Sequence, residues 1–508
     1  MMGLGFRSRQ YRATTFRFLF NMVALGVLSQ AAGQQINPAQ DRLFQEAEVT
    51  EIHVTLTEAD KDFLLDNANR NSEEYVAADV RFTNSKLQNA LVTNVGVRLR
   101  GNTSRGHLKR SFKIDFQEFG GESFLGHKKI NLKPNVNDPS LVRELLTMHI
   151  YRQMSVPAAR ITPAALFFNE EYMGVYLMVE QIDDEFIDRR FGHEDGFLYK
   201  CRFGATLEND GQILRESLYE SKMNEESDHR QELSHFIETL NSASVDDLQE
   251  EIRQVFHVDR YIRQLAVEAI TGHWDGYSYL NNNFYLFYDE RSGKFEFIPY
   301  DTDNTWGIDW IGGDWATRDL KYFRRSGHPR PLTVKILNVP DWRIRYYACL
   351  NKVTQLYFNE NEVLPLLDQL EEVLDPYVEM DDKFSDSFGF SYDDFKASFH
   401  SQENQQVKYG LRDFLHVRRT TGLASIPEVD TELCTFSDVS VFPNPSPNGV
   451  FRVISKEDPS PKITVLDQYG KRVPFGLTQV QNNPTLYLDE PGLYIVQVNS
   501  KVIRVMVE

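Results

Sequence analysis

Apolar residues fall on every second position over 51–57, at Ile52, Val54 and Leu56, and the alternation returns over 75–82, 92–100 and 111–116. A period of two predicts half-buried strands, here in an antiparallel sheet. Residues 58–69 predict a short helix between the first two strands. A second helix opens at Asn137-Asp138-Pro139-Ser140, carries Leu141, Leu145 and Met148 on one face, and ends at Val156-Pro157. Glu144 sits in its first turn. Runs 164–168 and 172–180 flank Asn169-Glu170-Glu171 as a hairpin, followed by an acidic segment at 181–185 and a short apolar run at 196–200. From 224 to 271 the spacing turns helical (Leu233, Phe236, Ile237, Leu240, Val255, Ile262, Leu265), and it does so again over 334–378 and 403–421. A β-rich first part and a helical second part predict an α+β domain of two lobes with a cleft between them.

One strand pair interrupts the helical part. Runs 284–288 and 295–300 flank Asp289-Glu290-Arg291-Ser292-Gly293, which reads as a hairpin. A hairpin returns the chain to its starting point, so Asp275 and Asn281-Asn282-Asn283 lie near Asp301 and Asp303. Carboxylates and amides at that density, with no Cys and with His273 alone, offer hard oxygen donors. Mg²⁺ or Mn²⁺ takes such donors and usually holds phosphates as well. Opposite charge comes from the 98–110 turn, where Arg98, Arg100, Arg105, Lys109 and Arg110 accompany Gly101, Thr103 and Ser104. Such a turn can face an anion with side-chain charge and backbone N–H groups. It matches neither a P-loop nor the glycine loop of ordinary kinases, and a hairpin turn that is merely basic would look the same.

From residue 434 the strands shorten (439–442, 450–454, 463–466, 486–488, 493–498, 502–507), with Pro, Asn and Gly between them. That pattern predicts a small all-β sandwich of immunoglobulin type, after a linker at 424–433. At the other end Arg7, Arg9, Arg12 and Arg17 precede the apolar run 18–28 and Ala31-Ala32-Gly33. This reads as a secretory signal peptide over 1–33, followed by a flexible polar stretch at 34–48. The apolar run is short for a membrane span and no later one reaches 18 residues, so no stable transmembrane segment is expected. The 508 residues carry a net charge of −19, which argues against nucleic acid as a partner and leaves a basic partner open. Cys201, Cys349 and Cys434 lie far apart in no metal spacing, and structural or free thiols are expected rather than a disulfide.

Several of these runs resemble the CotH kinase family, the spore-coat-protein-H-like atypical protein kinases. They are Val97-Arg98-Leu99-Arg100-Gly101-Asn102-Thr103-Ser104 with Lys109-Arg110-Ser111-Phe112-Lys113-Ile114; Tyr172-Met173-Gly174-Val175-Tyr176-Leu177-Met178-Val179-Glu180; Gly196-Phe197-Leu198-Tyr199-Lys200; and Asn283-Phe284-Tyr285-Leu286 with Ile298-Pro299-Tyr300-Asp301-Thr302-Asp303-Asn304-Thr305-Trp306-Gly307. They stand in the family's order between residues 50 and 421. The resemblance implies a diverged two-lobed kinase fold over 49–423, with a β-rich lobe at 49–182 and a helical lobe at 183–423. It implies ATP, with Mg²⁺ or Mn²⁺, as phosphate donor to Ser or Thr of a protein substrate, for which a basic or Ser/Thr-rich chain is the expectation. Asp275 would be the catalytic aspartate that orients the substrate hydroxyl and accepts its proton. Asp301 or Asp303 would bind the metal, with Asn282 or Asn283 as second ligand, at a longer spacing from Asp275 than ordinary kinases use. Lys113, then Lys109, would contact phosphate, Arg100 would reach the anion and Glu144 would pair with the lysine. Glu180 closes a strand between the lobes, where adenine is expected.

Residues 434–508 resemble the C-terminal sorting domain of the type IX secretion system, through Val441-Phe442-Pro443-Asn444-Pro445, Asp467-Gln468-Tyr469-Gly470-Lys471 and Pro491-Gly492-Leu493-Tyr494. With the signal peptide this implies the type IX machinery as a partner and delivery to the surface or medium of a Gram-negative cell. Two other readings stand beside the kinase. One is a non-catalytic kinase-like surface or adhesion protein, since ATP is scarce outside cells. The other is a metal-dependent enzyme acting on carbohydrate or another phosphate, because paired carboxylates also suit glycosides and Trp274, Trp306 and Trp310 could stack on a sugar.

Overall fold

The computed structural model describes residues 42–507, except 102, 212–214, 216, 225–229, 245–246, 387–388, 402–405, 435–438, 443–448, 456–461, 468–469, 481–482 and 499–500. The signal peptide and the Pro443-Asn444-Pro445 run lie outside the described residues.

The period-two segments form β1 (Thr50–Thr55), β2 (Val76–Asn84), β3 (Leu87–Arg100) and β4 (Ser111–Asp115), with α1 (Glu58–Leu65) after β1. They are joined by β5 (Lys129–Lys133), α2 (Arg143–Gln153), β6 (Ile161–Phe168) and β7 (Glu171–Glu180). The strands close into a barrel in the order β1-β2-β3-β4-β5-β7-β6, with β6 parallel to β1. The expected antiparallel sheet therefore has one parallel seam, and closure leaves no open strand edge. Ile52, Val97, Leu99, Phe112, Ile114, Ile130 and Leu132 fill the interior. Leu43 and Phe44 are buried in the same core, so the stretch expected to be flexible is anchored from residue 43 onward. Alternation puts Arg98, Arg100, Lys113, Asn131 and Lys133 on the outer face, where Lys113 is in register with Arg98 on one side and Asn131 on the other.

α2 begins at Arg143, later than the 137–140 opening expected. Asp138 takes the N–H groups of Ser140 and Arg143 and the buried Arg143 guanidinium, which forms a turn before the helix. After α3 (Asp184–Phe191), β8 (Gly196–Cys201) and β9 (Tyr219–Ser221) come α4 (Arg230–Ser242), α5 (Leu248–Val255), α6 (Val258–Thr271) and α7 (Tyr277–Leu280). β10 (Phe284–Asp289) and β11 (Lys294–Pro299) form the expected hairpin, with Phe284 opposite Pro299, inside a sheet ordered β11-β10-β8-β9. α8 (Pro331–Asn338), α9 (Pro340–Leu356), α10 (Glu360–Glu379), α11 (Tyr392–Phe399) and α12 (Leu411–Val417) complete a mixed α+β arrangement. One apolar cluster joins Leu145 and Tyr151 of α2 to Ile270 of α6 and to Trp306, which fixes α2 against the loop after β11.

The terminal strands are β12 (Val439–Phe442), β13 (Val450–Ser455), β14 (Ile463–Asp467), β15 (Gly476–Val480), β16 (Asn483–Tyr487), β17 (Gly492–Val498) and β18 (Lys501–Val507). They form two antiparallel sheets, β12-β13-β16-β15 and β14-β17-β18, around Phe451, Val465, Leu486 and Val496.

Cys349 of α9 and Cys434 form a disulfide, and Cys201 alone is a buried free thiol. The expectation of three thiols fails because spacing in sequence says nothing of where α9 meets the chain leaving the helical part. The bridge closes a separation of 85 residues. Cys349→Ser is expected to lower unfolding free energy by about 2–5 kcal/mol in denaturant titration. Reduction of the parent should reproduce the loss, and an unchanged midpoint would refute the bridge's role.

Candidate active site

α6 ends at Gly272, whose left-handed φ of 70° turns the chain into His273-Trp274-Asp275. Gly276 has no room for a side chain, since a Cβ would lie 2.7 Å from Glu268 Oε1 and 3.0 Å from His273 Nδ1. Asn281 and Asn283 take positive φ on the way into β10, as does Asp301 on leaving β11. Both loops thus sit at one end of the β10–β11 pair.

The Asp275 carboxylate is gripped by three amides. Asn282 Nδ2 donates to Oδ1 at 3.1 Å, and Asn283 and Asn304 Nδ2 each donate to Oδ2 at 3.1 Å. Asn304 Oδ1 in turn accepts from Asn137 Nδ2 and from Trp310 Nε1, both at 3.1 Å. Burial pushes the Asp275 carboxyl up to about 6; the amides oppose this and the charge of Asp301 adds to it.

Beside it, Lys133 Nζ lies 2.6 Å from Glu144 Oε2 and bonds Asp301 Oδ1. Burial disfavours the ammonium, but Asp301, Glu144 and Asp303 outweigh it and hold Lys133 well above the usual lysine range. Lys133 is thus one ammonium shared among three carboxyl groups. Asp301 stays below the usual range because Lys133, Lys200 and Arg100 overcome its burial. Burial and the Asp301 charge drive Asp303 well above it, and burial raises Glu144 despite Lys133. His273, buried next to this loop, is pushed down to about 4 by burial and stays neutral.

A cationic flank faces the acids. Arg100 Nη2 donates to the Tyr300 hydroxyl at 3.1 Å, and Lys200 Nζ stands 4.7 Å from the Tyr300 ring centre. Burial would raise the Tyr300 phenol, but Arg100, Lys200 and Lys133 hold it below its ordinary value. Lys113 is lowered to about 7 by burial, then by repulsion from Arg100, Arg98, Lys129 and Lys222. Among the described residues no carboxylate lies within ion-pair distance of it. Lys128, Lys129 and Lys222 share an open polar cavity of about 610 Å³ with five carboxylates, those of Asp183, Asp184, Glu194, Asp195 and Glu290.

The fold therefore gathers Asp275, Asn282, Asn283, Asp301, Asp303, Glu144 and Arg100, with Lys113 on the cationic flank. It does not bring in Lys109, which is buried against Asp381. Nor does it bring in Glu180, whose carboxylate is shared by Arg160, Arg189 and Arg190. The other cations of the basic turn are also engaged, Arg98 and Arg105 with Glu73, and Arg110 with the carbonyls of Leu64 and Asp66. Sequence reasoning missed Lys133, Lys200 and Asn304. The alternation Lys129-Ile130-Asn131-Leu132-Lys133 carried the strand signal for the first. Trp274 and Trp306 are buried, so of the three tryptophans considered for sugar stacking only Trp310, 41% exposed, could present a face.

The donor set fits a divalent ion with hard-ligand preference. Asp303 has no cation within ion-pair distance among the described residues, and an ion between Asp301 and Asp303 would offset their mutual repulsion. Among the described residues no three acidic, His or Cys side chains close on one point as a metal cage. An ion here would complete its shell with amide oxygen, water and phosphate, which is how Mg²⁺ is usually held.

Comparison with known proteins adds to this geometry. Residues 97–421 match the family model described as CotH kinase protein. The chain is 29% identical over 294 residues to the inner spore coat protein H of Bacillus subtilis, covering 57% of this chain and 78% of that protein. It is 26% identical over 264 residues to spore coat protein homolog 1 of Rhizopus delemar, covering 48% of this chain and 41% of that one. Invasin CotH3 of the same fungus is 23% identical over 293 residues, with 54% and 49% covered. The chain thus spans under half the length of the two fungal relatives. Among the described residues no helix is long and apolar enough to cross a membrane.

Proposed function

The chain belongs to the CotH kinase protein family, and on that premise we propose that it is an atypical protein kinase passing the γ-phosphate of ATP to Ser or Thr of a protein substrate. The observation that carries the reading is the Lys133 ammonium between Glu144 of α2 and Asp301, beside the amide-held Asp275. Protein kinases carry out phosphoryl transfer with a lysine–glutamate pair, a metal-binding aspartate and a base, each in place. Asp275 takes the proton of the acceptor hydroxyl. Asn282, Asn283 and Asn304 aim its carboxylate, and its raised pKa of about 6 keeps it ionised yet basic near neutral pH. Lys133 is the phosphate-contacting lysine, and Lys113, Arg100 and Lys200 attract the nucleotide's remaining charge. Asp301 and Asp303, with Asn282 or Asn283, would hold Mg²⁺ or Mn²⁺, which would supply positive charge against the phosphates.

This reading takes the barrel and the helical part as the two lobes of a kinase, and the terminal sheets as an immunoglobulin-like sorting domain. The names of the spore coat and invasin relatives support a surface or extracellular location. The N-terminal sequence supports export, and the C-terminal sequence supports the type IX route.

Nucleotide binding has a pH signature. Lys113, at about 7 in the free protein, regains its proton when a phosphate sits beside it, so binding takes up a proton and affinity falls as pH rises above 7. ATP with Mg²⁺ at a hundred times Kd should stabilise the chain by about 2.7 kcal/mol at pH 7, and less at pH 9. Lys113→Met should flatten that dependence. A specific observation favours the non-catalytic surface reading: three relatives are named invasins. Absence of any thermal shift with ATP and either metal would favour it over the kinase.

A further inference from the structure

Trp310 and Ile311 are 41% and 46% exposed on the loop that follows the Asp301–Trp306 segment. Exposed singly, an apolar residue needs no explanation. This pair differs in how firmly it is held outward. The Asp309 carboxylate beneath it accepts the N–H groups of Ile311, Gly312 and Gly313 at 3.0–3.1 Å and the indole N–H of Trp315 at 3.1 Å. It also pairs with Lys408 at 2.9 Å. Burial would raise Asp309, but Lys408 and these donors hold it below its usual range, so the clamp stays charged. Gly312 takes φ 82°, and a Cβ at Gly313 would strike the Trp315 ring at 2.5 Å. The clamp and the two glycines fix the backbone that carries these part-exposed side chains.

The pair is also tied to the catalytic carboxylate. Trp310 Nε1 bonds Asn304 Oδ1, and Asn304 Nδ2 bonds Asp275 Oδ2. Two hydrogen bonds therefore separate the indole from the atom that receives the acceptor proton. That relay puts the loop beside the carboxylate assigned to the acceptor hydroxyl, within reach of the residues that flank the hydroxyl in a bound polypeptide.

We propose that Trp310 and Ile311 form a rigid apolar shelf that selects protein substrates with an apolar residue adjoining the phosphorylated Ser or Thr. This rests on the kinase reading and names its substrate class. The test uses the full chain with Mg²⁺-ATP and two peptides that differ only beside the acceptor Ser, Leu in one and Glu in the other, with the flanking position scanned on both sides. The Leu peptide should be phosphorylated with a kcat/KM about tenfold higher, the scale on which a single apolar contact discriminates. Trp310→Ala with Ile311→Ser should bring the ratio close to one, and Trp310→Phe, which keeps the ring, should preserve most of it. Equal rates for both peptides, or a preference that survives the double substitution, would overturn the shelf and leave phosphotransfer standing. Transfer to neither peptide, at any flanking position, would overturn both.

Discussion

Replacing Asp275 by Asn lowers kcat for phosphate transfer by about 10²–10⁴, the range attributed to a positioned general base. The fold survives the change. Folded Asp275 sits at about 6, above the roughly 3.9 of an exposed aspartate. The folded state therefore holds the extra proton between those values, and the parent loses this contribution as pH rises through 6. An amide carries no such cost at pH 7. Against that, the amide turns its oxygen to Asn283 and Asn304 and its NH₂ to the Nδ2 donor of Asn282, forfeiting one hydrogen bond of about 1 kcal/mol. The opposing effects leave stability within about 1–2 kcal/mol of the parent. Transfer of ³²P from ATP reads the activity and denaturant titration the stability. Undiminished transfer would remove Asp275 from its role.

Lys133→Met has the larger structural effect. The ammonium it removes is the one that Glu144 and Asp301 share, with Asp303 in its field. Removing one partner of a buried pair costs about 3–5 kcal/mol because the remaining charge has no compensation. Here Glu144 and Asp303 already favour their protons, so the deficit is smallest in mild acid and grows as pH rises. Phosphate transfer should fall with it. Lys113→Met separates the two lysines: its ammonium is already disfavoured by burial and by like charge, so the variant keeps its stability and loses nucleotide affinity. If the stability loss followed Lys113 and spared Lys133, the assignment of the paired lysine would be reversed.

The difference between those lysines also marks the limit of reading the chain as text. Lys113 stands in a strand whose alternation is plain, near a conspicuous basic turn. Lys133 stands in a five-residue strand, Lys129–Lys133, of which only Ile130 and Leu132 are apolar. What distinguishes them is the partner across the loop, and Glu144 belongs to α2, whose start is delayed by the Asp138 turn. The basic turn misled for the opposite reason. Its charge is visible in sequence, but Glu73 and Asp381, which absorb Arg98, Arg105 and Lys109, come from distant segments.

Local pattern was enough wherever one segment decides its own fate. The 284–300 hairpin, the convergence of Asp275 with Asn282 and Asn283, and the short terminal strands follow from period, turn chemistry and chain return, all of which act over a few residues. Barrel closure through the β1–β6 seam, the Cys349–Cys434 bridge, the commitment of Glu180 to three arginines and the choice of Lys133 depend on contacts between different elements, some about ten residues apart and some more than a hundred. Their energies come from desolvated charge and packed surface, which exist only after the chain has folded, so only the tertiary structure could decide them.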